Sequence, residues 1–175
     1  MKTMYFKSNM DVKVRVLTYT ICMILVLVSI SLFVLFLRSE GDIYTRFSFL
    51  LIAFLLTGTA FYFYIQRVRE IVYIADDKLI LKKSFSSVTI PVGEITSIRK
   101  VNYNSIPMTF GSKGFFGFIG STMDDYVSNV SNTSEMLAIE TKSKKYLLSC
   151  QSSAELVLIV KIGHEGRCSL LSSEQ

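Results

Sequence analysis

The side chains best placed to do chemistry lie in one run, Gly111-Ser112-Lys113-Gly114-Phe115-Phe116-Gly117-Phe118-Ile119-Gly120. Its glycines let the backbone turn sharply while the large side chains anchor it or point outward. Lys113 with Phe115, Phe116 and Phe118 can form a wedge that dips into a membrane interface or grips a partner, because an exposed apolar patch marks contact. The competing reading has the same phenylalanines filling one end of a core. Either way the chemistry is contact. The run has neither GxGxxG spacing nor a Lys-Ser/Thr ending, so it does not read as a nucleotide cradle. Asp124-Asp125 is a paired carboxylate, but adjacent strand residues point to opposite faces, which favours a polar loop cap. His164 is the single histidine and falls in a polar tail. That leaves no His-based triad, no His-rich zinc site and no ordinary base for a nucleophile. The expectation is a non-enzyme with no catalytic residue, cofactor or metal.

Two apolar runs must position whatever that segment does. Val16 to Leu37 and Phe47 to Ile65 contain no Asp, Glu, Lys, Arg or His, and only the stretch 38–46 separates them. As helices they extend roughly 33 and 28 Å at about 1.5 Å per residue, against a hydrocarbon core of about 30 Å. A soluble core helix rarely stays uncharged on every face for that length. The sequence therefore predicts a transmembrane hairpin over 16–65, with spans 16–37 and 47–65. Residues 1–15 read as a basic flank, 67–162 as one small domain and 163–175 as a disordered tail. Without an ionisable group in either span, a proton relay or ion pathway is not expected. Ser29 and Ser31, and Ala53 with Thr57-Gly58-Thr59-Ala60, can let helices approach closely, within the hairpin or between copies. A homo-oligomer is compatible with that pattern.

Charge sets the expected topology. Lys2, Lys7, Lys13 and Arg15 precede the first span, and Arg67, Arg69, Lys78, Lys82 and Lys83 follow the second, whereas the loop holds only Arg38 and Arg46. The side richer in basic residues stays in the cytoplasm. Both termini and the domain are thus expected at the inner face of the cytoplasmic membrane, with the loop outside. Tyr19, Tyr62 and Tyr64 fall where interfacial aromatics belong. The first span is too long for a signal h-region, and no cleavage site follows it. Cys22, Cys150 and Cys168 form no CxxC pattern and imply no disulfide framework. The domain mixes both signs of charge, so no nucleic-acid partner is expected. The patterns Asn129-Val130-Ser131 and Asn132-Thr133-Ser134 suit glycosylation only on the opposite side of the membrane, and read as chance.

After Ile65 the apolar residues alternate. Strands are expected at Glu70 to Ala75, Lys78 to Ser84, Ser87 to Pro91, Ile95 to Tyr103, Met136 to Thr141 and Tyr146 to Cys150. With no helix between them, the sheet should be antiparallel. Ser152 and Glu155 offer a capping box for a helix that ends near Gly163.

Ser87 to Ile98 (SVTIPVGEITSI), the run KGFFGFIG, a strand around Tyr126, and MLAIETKSKKYLLSC before a Ser/Glu-started helix resemble the bacterial PH-like (pleckstrin-homology-like) domain family. The resemblance covers about Arg67 to Ile162. It implies an α+β membrane protein, in which the hairpin precedes a PH-like antiparallel β-barrel or split barrel capped by a C-terminal helix. It also implies a membrane-associated binding role and supplies no catalytic set. Inositol phosphates are not the expected ligand, because the turn that is basic in lipid-binding PH domains is here Asp76-Asp77-Lys78, acidic at its apex. The expected function is a membrane-anchored binding or scaffolding module that presents the barrel to a protein, peptide or lipid partner beside the bilayer. The alternative is an accessory subunit of a larger membrane complex, an exporter or envelope enzyme, held through the hairpin.

Overall fold

The computed structural model describes residues 3–74, 78–102 and 106–172, those after Ile162 as backbone alone. The Asp76-Asp77 apex and Asn104 lie outside the described residues, as do the side chains of His164 and Cys168. Helices α1 (Val12–Arg38) and α2 (Ile43–Gln66) form the hairpin. Asp11 and Asp42 open them, each carboxylate accepting the first helical N–H, at 2.6 and 2.8 Å, where negative charge complements the helix dipole. The helices meet along a half-buried seam that includes Leu25, Ser29, Leu32 and Phe36 of α1, and Phe49, Ala53, Leu56 and Ala60 of α2. Ser31, Thr57 and Thr59 stay outside it, their hydroxyls bonding back to carbonyls of their own helices. That satisfies polar groups where water is absent. Both helices are long and apolar enough to cross a membrane, and neither apolar window is buried within the chain.

The basic flank contains a strand. In β1 (Thr3–Lys7) Phe6 is buried and Met4 half-buried, while Thr3, Tyr5 and Lys7 are exposed. β1 pairs antiparallel with β2 (Glu70–Ile74), from Thr3 opposite Ile74 to Lys7 opposite Glu70. The hairpin is thus an insertion between neighbouring strands, and both its ends lie on the side of the β domain. β3 (Lys78–Lys82) and β4 (Ser87–Pro91) complete a sheet of order β1-β2-β3-β4.

A 3-10 turn at Val92–Glu94 carries the chain into the second sheet. It contains β5 (Ile95–Val101), β6 (Met108–Lys113), β7 (Phe118–Thr122), β8 (Tyr126–Val130), β9 (Met136–Thr141) and β10 (Lys145–Ser149), in the order β5-β9-β10-β8-β7-β6. β9 is buried on both faces. Leu137 and Ile139 join Ile71, Leu79, Ile98, Leu148, Leu156 and Val160 in the main core. Met136 and Ala138 turn the other way, to Ile106, Tyr126, Val130 and Leu147. Alternation on a pleated strand feeds both clusters from one segment. Helix α3 (Ser153–Ser172) covers the main core with Leu156 and Val160.

Several expectations need correction. No closed barrel forms among the described residues, since β4 and β5 are consecutive yet belong to different sheets. The sheets are not wholly antiparallel. β8 and β10 run parallel, Lys145 opposite Tyr126, because β9 folds back as a hairpin partner of β10 and leaves β10 beside β8. Ser152 has a left-handed φ of 57° and not the extended backbone of an N-cap, and the Ser153 hydroxyl donates to Glu135 instead. α3 also continues past Gly163, to Ser172.

Candidate functional site at the junction of hairpin and sheet

The glycine-aromatic run is the β6–β7 hairpin, and its turn leans on the helix pair α1–α2. Gly114 and Gly117 close the turn with reciprocal N–H to carbonyl bonds of 2.8 and 3.3 Å. Both have positive φ, and Phe116 between them sits at φ 56°, a backbone a bulky residue holds only when its surroundings fix it. Those surroundings are the hairpin. The Phe116 N–H donates to Thr18 Oγ1 at 2.9 Å, and Thr18 is only 3% exposed. The Phe116 ring meets Tyr64 edge-on at 5.7 Å between centroids, and Phe115 meets Phe63 at 6.4 Å. A Cβ at Gly114 would lie 2.7 Å from the movable Cδ2 of Leu17, and its φ of 99° is what calls for glycine at the turn.

The four predicted contact residues therefore separate. Phe115 and Phe116 grip the chain's own hairpin, Phe118 packs against the second core cluster, and Lys113 stays exposed at the end of β6. Asp124 and Asp125 are exposed on the β7–β8 turn, with Asp125 at φ 62°. Among the described residues no three His, Cys, Asp or Glu side chains gather as a metal site would require.

Polar bonds fasten the same junction, and most come from residues that the sequence pattern does not single out. Asn129, 6% exposed on β8, accepts the Val68 N–H at 2.8 Å and donates to the Gln66 carbonyl at 2.7 Å. It thereby ties the last turn of α2 and the first residues after it to the sheet. Arg67 donates to Ser131 Oγ at 3.3 Å and to the Ser8 carbonyl at 3.0 Å. The Asp11 N–H reaches the Ser131 carbonyl at 2.9 Å, and Ser131 receives support from Ser149. Lys83 Nζ bonds Gln66 Oε1 at 2.7 Å, and Arg69 donates to the Tyr64 hydroxyl while stacking over its ring. At the base of the hairpin basic side chains, Arg15, Arg67, Arg69 and Lys83, outnumber the acidic Asp11. Burial, then the neighbouring Arg69 and Arg15, push the Arg67 guanidinium below its ordinary pKa.

At the opposite margin of the sheet the molecule is open. A cleft of about 360 Å³ runs between β5 and α3, lined by Ile95, Thr96, Ser97, Ile98, Arg99, Val160 and Lys161. Among the described residues β5 has a strand partner, β9, on one side only. Its pairing shifts register between Ile95 and Ser97, a bulge at Thr96. No family model, curated protein or solved structure matches this chain. The site's chemistry must therefore be argued from its own residues.

Proposed function

We propose that this chain is a membrane-anchored, non-enzymatic binding module, whose PH-like domain holds an extended segment of a partner protein against the β5 edge at the cytoplasmic face of the membrane. The observation that carries this reading is the cleft between β5 and α3. An unpaired strand edge is a template for another strand, and proteins normally blunt it. The other margins are less inviting. β4 ends in Pro91, which has no N–H to offer. The Lys7 carbonyl of β1 already accepts the Gln151 N–H. β6 ends in the turn that rests on the hairpin, where the Phe116 N–H bonds Thr18. At β5 the helix α3 supplies a wall against which a strand's side chains can pack, the arrangement that strand addition needs. The cleft of about 420 Å³ beside β1 also meets α3, at Glu155, but there the chain's own Gln151 occupies the Lys7 end. The PH-like assignment draws support from two sheets round one core closed by a terminal helix. The cytoplasmic orientation draws support from the basic residues at the hairpin's base.

A photocrosslinking residue at Thr96 or Lys161 of the full chain in native membranes tests the reading. It should trap one protein reproducibly, and the same probe at Ser87 on the β4 edge should not. Equal trapping at all three positions, or none, would count against it. Proline scanning of the trapped segment should then abolish capture at alternate positions.

A second reading keeps the chain as a subunit held through its hairpin, within a larger complex or between copies. The outward face of α2 favours it: Tyr44, Phe47, Leu51, Phe54 and Phe61 recur at helical spacing around Gly58, all more than half exposed apart from the glycine, which has nothing within 4 Å of its Cβ position. Exchanging the hairpin for an unrelated two-span anchor separates the readings. A binding module keeps its Thr96 crosslink; a hairpin subunit loses its partners.

A further inference from the structure

A second concavity, about 250 Å³, opens where the last turn of α2 meets β6, β7 and β8. Tyr62 and Phe63 contribute from the helix, Phe110 and Val127 from the sheet, and Lys83 is the single charged residue lining it. Its apolar side chains are unusually open. Phe110 is 75% exposed, Tyr62 54% and Val127 45%. Gly111 and Gly120 face each other across β6 and β7 with φ of 121° and 146°. A Cβ on either would collide with the opposing strand's backbone, so this part of the lining is bare main chain. Lys83 Nζ donates to the neutral Gln66 amide oxygen at 2.7 Å. Loss of water disfavours its charged form and holds its pKa below the ordinary lysine value, and the lining holds no carboxylate to balance it.

We infer that this groove binds one anionic phospholipid of the bilayer, its phosphate on Lys83 and its acyl chains leaving past Tyr62 along α2. The volume is below the roughly 300 Å³ at which whole-ligand pockets begin, so a headgroup enters and the chains stay outside. Tyr62, Gly58 and Leu55 lie at helical spacing on an exposed face of α2, which continues the groove into the apolar hairpin. Zwitterionic headgroups fit less well, because their own ammonium would meet Lys83. The inference rests on α1 and α2 spanning the bilayer and is independent of the β5–α3 cleft.

The test uses the full chain in nanodiscs of mixed phosphatidylglycerol and phosphatidylcholine, with retained lipid read by native mass spectrometry. The chain should retain one phosphatidylglycerol. Lys83→Met should cut retention about tenfold, the worth of one charge-assisted hydrogen bond. Ser121→Trp, at an exposed position in the groove, should cut it comparably without unfolding the chain. Lys83→Arg and Lys113→Gln should keep it. Equal retention of both lipids, or retention unchanged in Lys83→Met and Ser121→Trp, overturns the inference. So does displacement of the lipid by free glycerol 3-phosphate, which would assign the groove to a soluble phosphate ester. Extraction of the chain from membranes by alkaline carbonate would contradict the anchor itself, whereas a carbonate-resistant chain without lipid preference contradicts the groove alone.

Discussion

At one margin of the six-stranded sheet, the β6–β7 turn rests on the hairpin through Phe115, Phe116 and the Thr18 hydroxyl. At the other, β5 has β9 on one side and an open cleft beside α3 on the other. The fastened margin is built from residues with special backbone or hydrogen-bonding capacity: Gly114, Gly117, Asn129 and Arg67. The open margin is a strand with no such fastening, its buried Ile95 and Ile98 three apart across the bulge at Thr96, with Thr96 and Arg99 exposed. The contrast gives the anchor a mechanical meaning. A domain stitched to its hairpin cannot swing as on a leash, so its free edge keeps one position relative to the two helices. For a partner tethered to the same membrane, fixed placement raises effective concentration without any added contact.

The strongest way to break the contrast is to cut the fastened margin at Asn129. Asn129→Ala strands the buried Val68 N–H and the Gln66 carbonyl, and each unsatisfied group costs about 1–3 kcal/mol. A loss of about 2–5 kcal/mol is expected in denaturation of the detergent-purified chain. No change would mean that the junction is held elsewhere. Phe116→Ala should cost about 1 kcal/mol through its lost ring contact, and Thr18→Val about 1 kcal/mol through the lost acceptor. Both should speed proteolysis at the hairpin base while leaving the core melting cooperatively.

At the open margin the pattern reverses. Thr96→Lys removes a hydroxyl bond of 3.0 Å to the Glu140 carbonyl and should cost no more than about 1 kcal/mol, yet remove capture of the partner. A large loss of stability would show that the edge is structural.

The smallest effect concerns α3, the wall of the cleft. The Ser153 hydroxyl, and Lys100 at 3.2 Å, hold the Glu135 carboxyl below its ordinary value of 4.5. A depressed carboxylate stabilises the fold above that ordinary value and loses its contribution as pH falls through the lower folded one. Glu135→Gln should therefore lower stability slightly at neutral pH and flatten the acid side of the profile below pH 4.5, where the two chains converge. An unchanged acid limb would contradict that pairing.

The hairpin was legible because composition alone marks a long uncharged run, and β2, β3, β4, β5, β9 and β10 were legible because alternation is local. β1 was not. TMYFK alternates Met4 and Phe6 correctly, but five residues in a basic flank say nothing of a partner that follows both spans. β6 and β7 were hidden by their glycines, which read as loop although Gly111 and Gly120 sit in paired strands. Order along the chain could not reveal the parallel β8–β10 pair, since it depends on where β9 folds back. At the site, the aromatic run announced contact but not with what. Phe115 and Phe116 find the hairpin at a sequence distance no motif spans. Asn129 sat inside a glycosylation pattern, and its two bonds exist only once β8 lies against the end of α2.

The rigidity of the junction is best tested by a distance distribution between spin labels at Leu37, at the far end of α1, and Thr96, on the open edge. Cys22 and Cys168 would be replaced by serine. Cys150 can stay, because burial, with Glu135 nearby, pushes its thiol pKa up to about 12 and it is 1% exposed. In nanodiscs, pulsed electron resonance should give one narrow distance, which Asn129→Ala broadens. A broad distribution in the chain with Asn129 intact would contradict the account, since it would mean that the domain moves freely beneath its anchor.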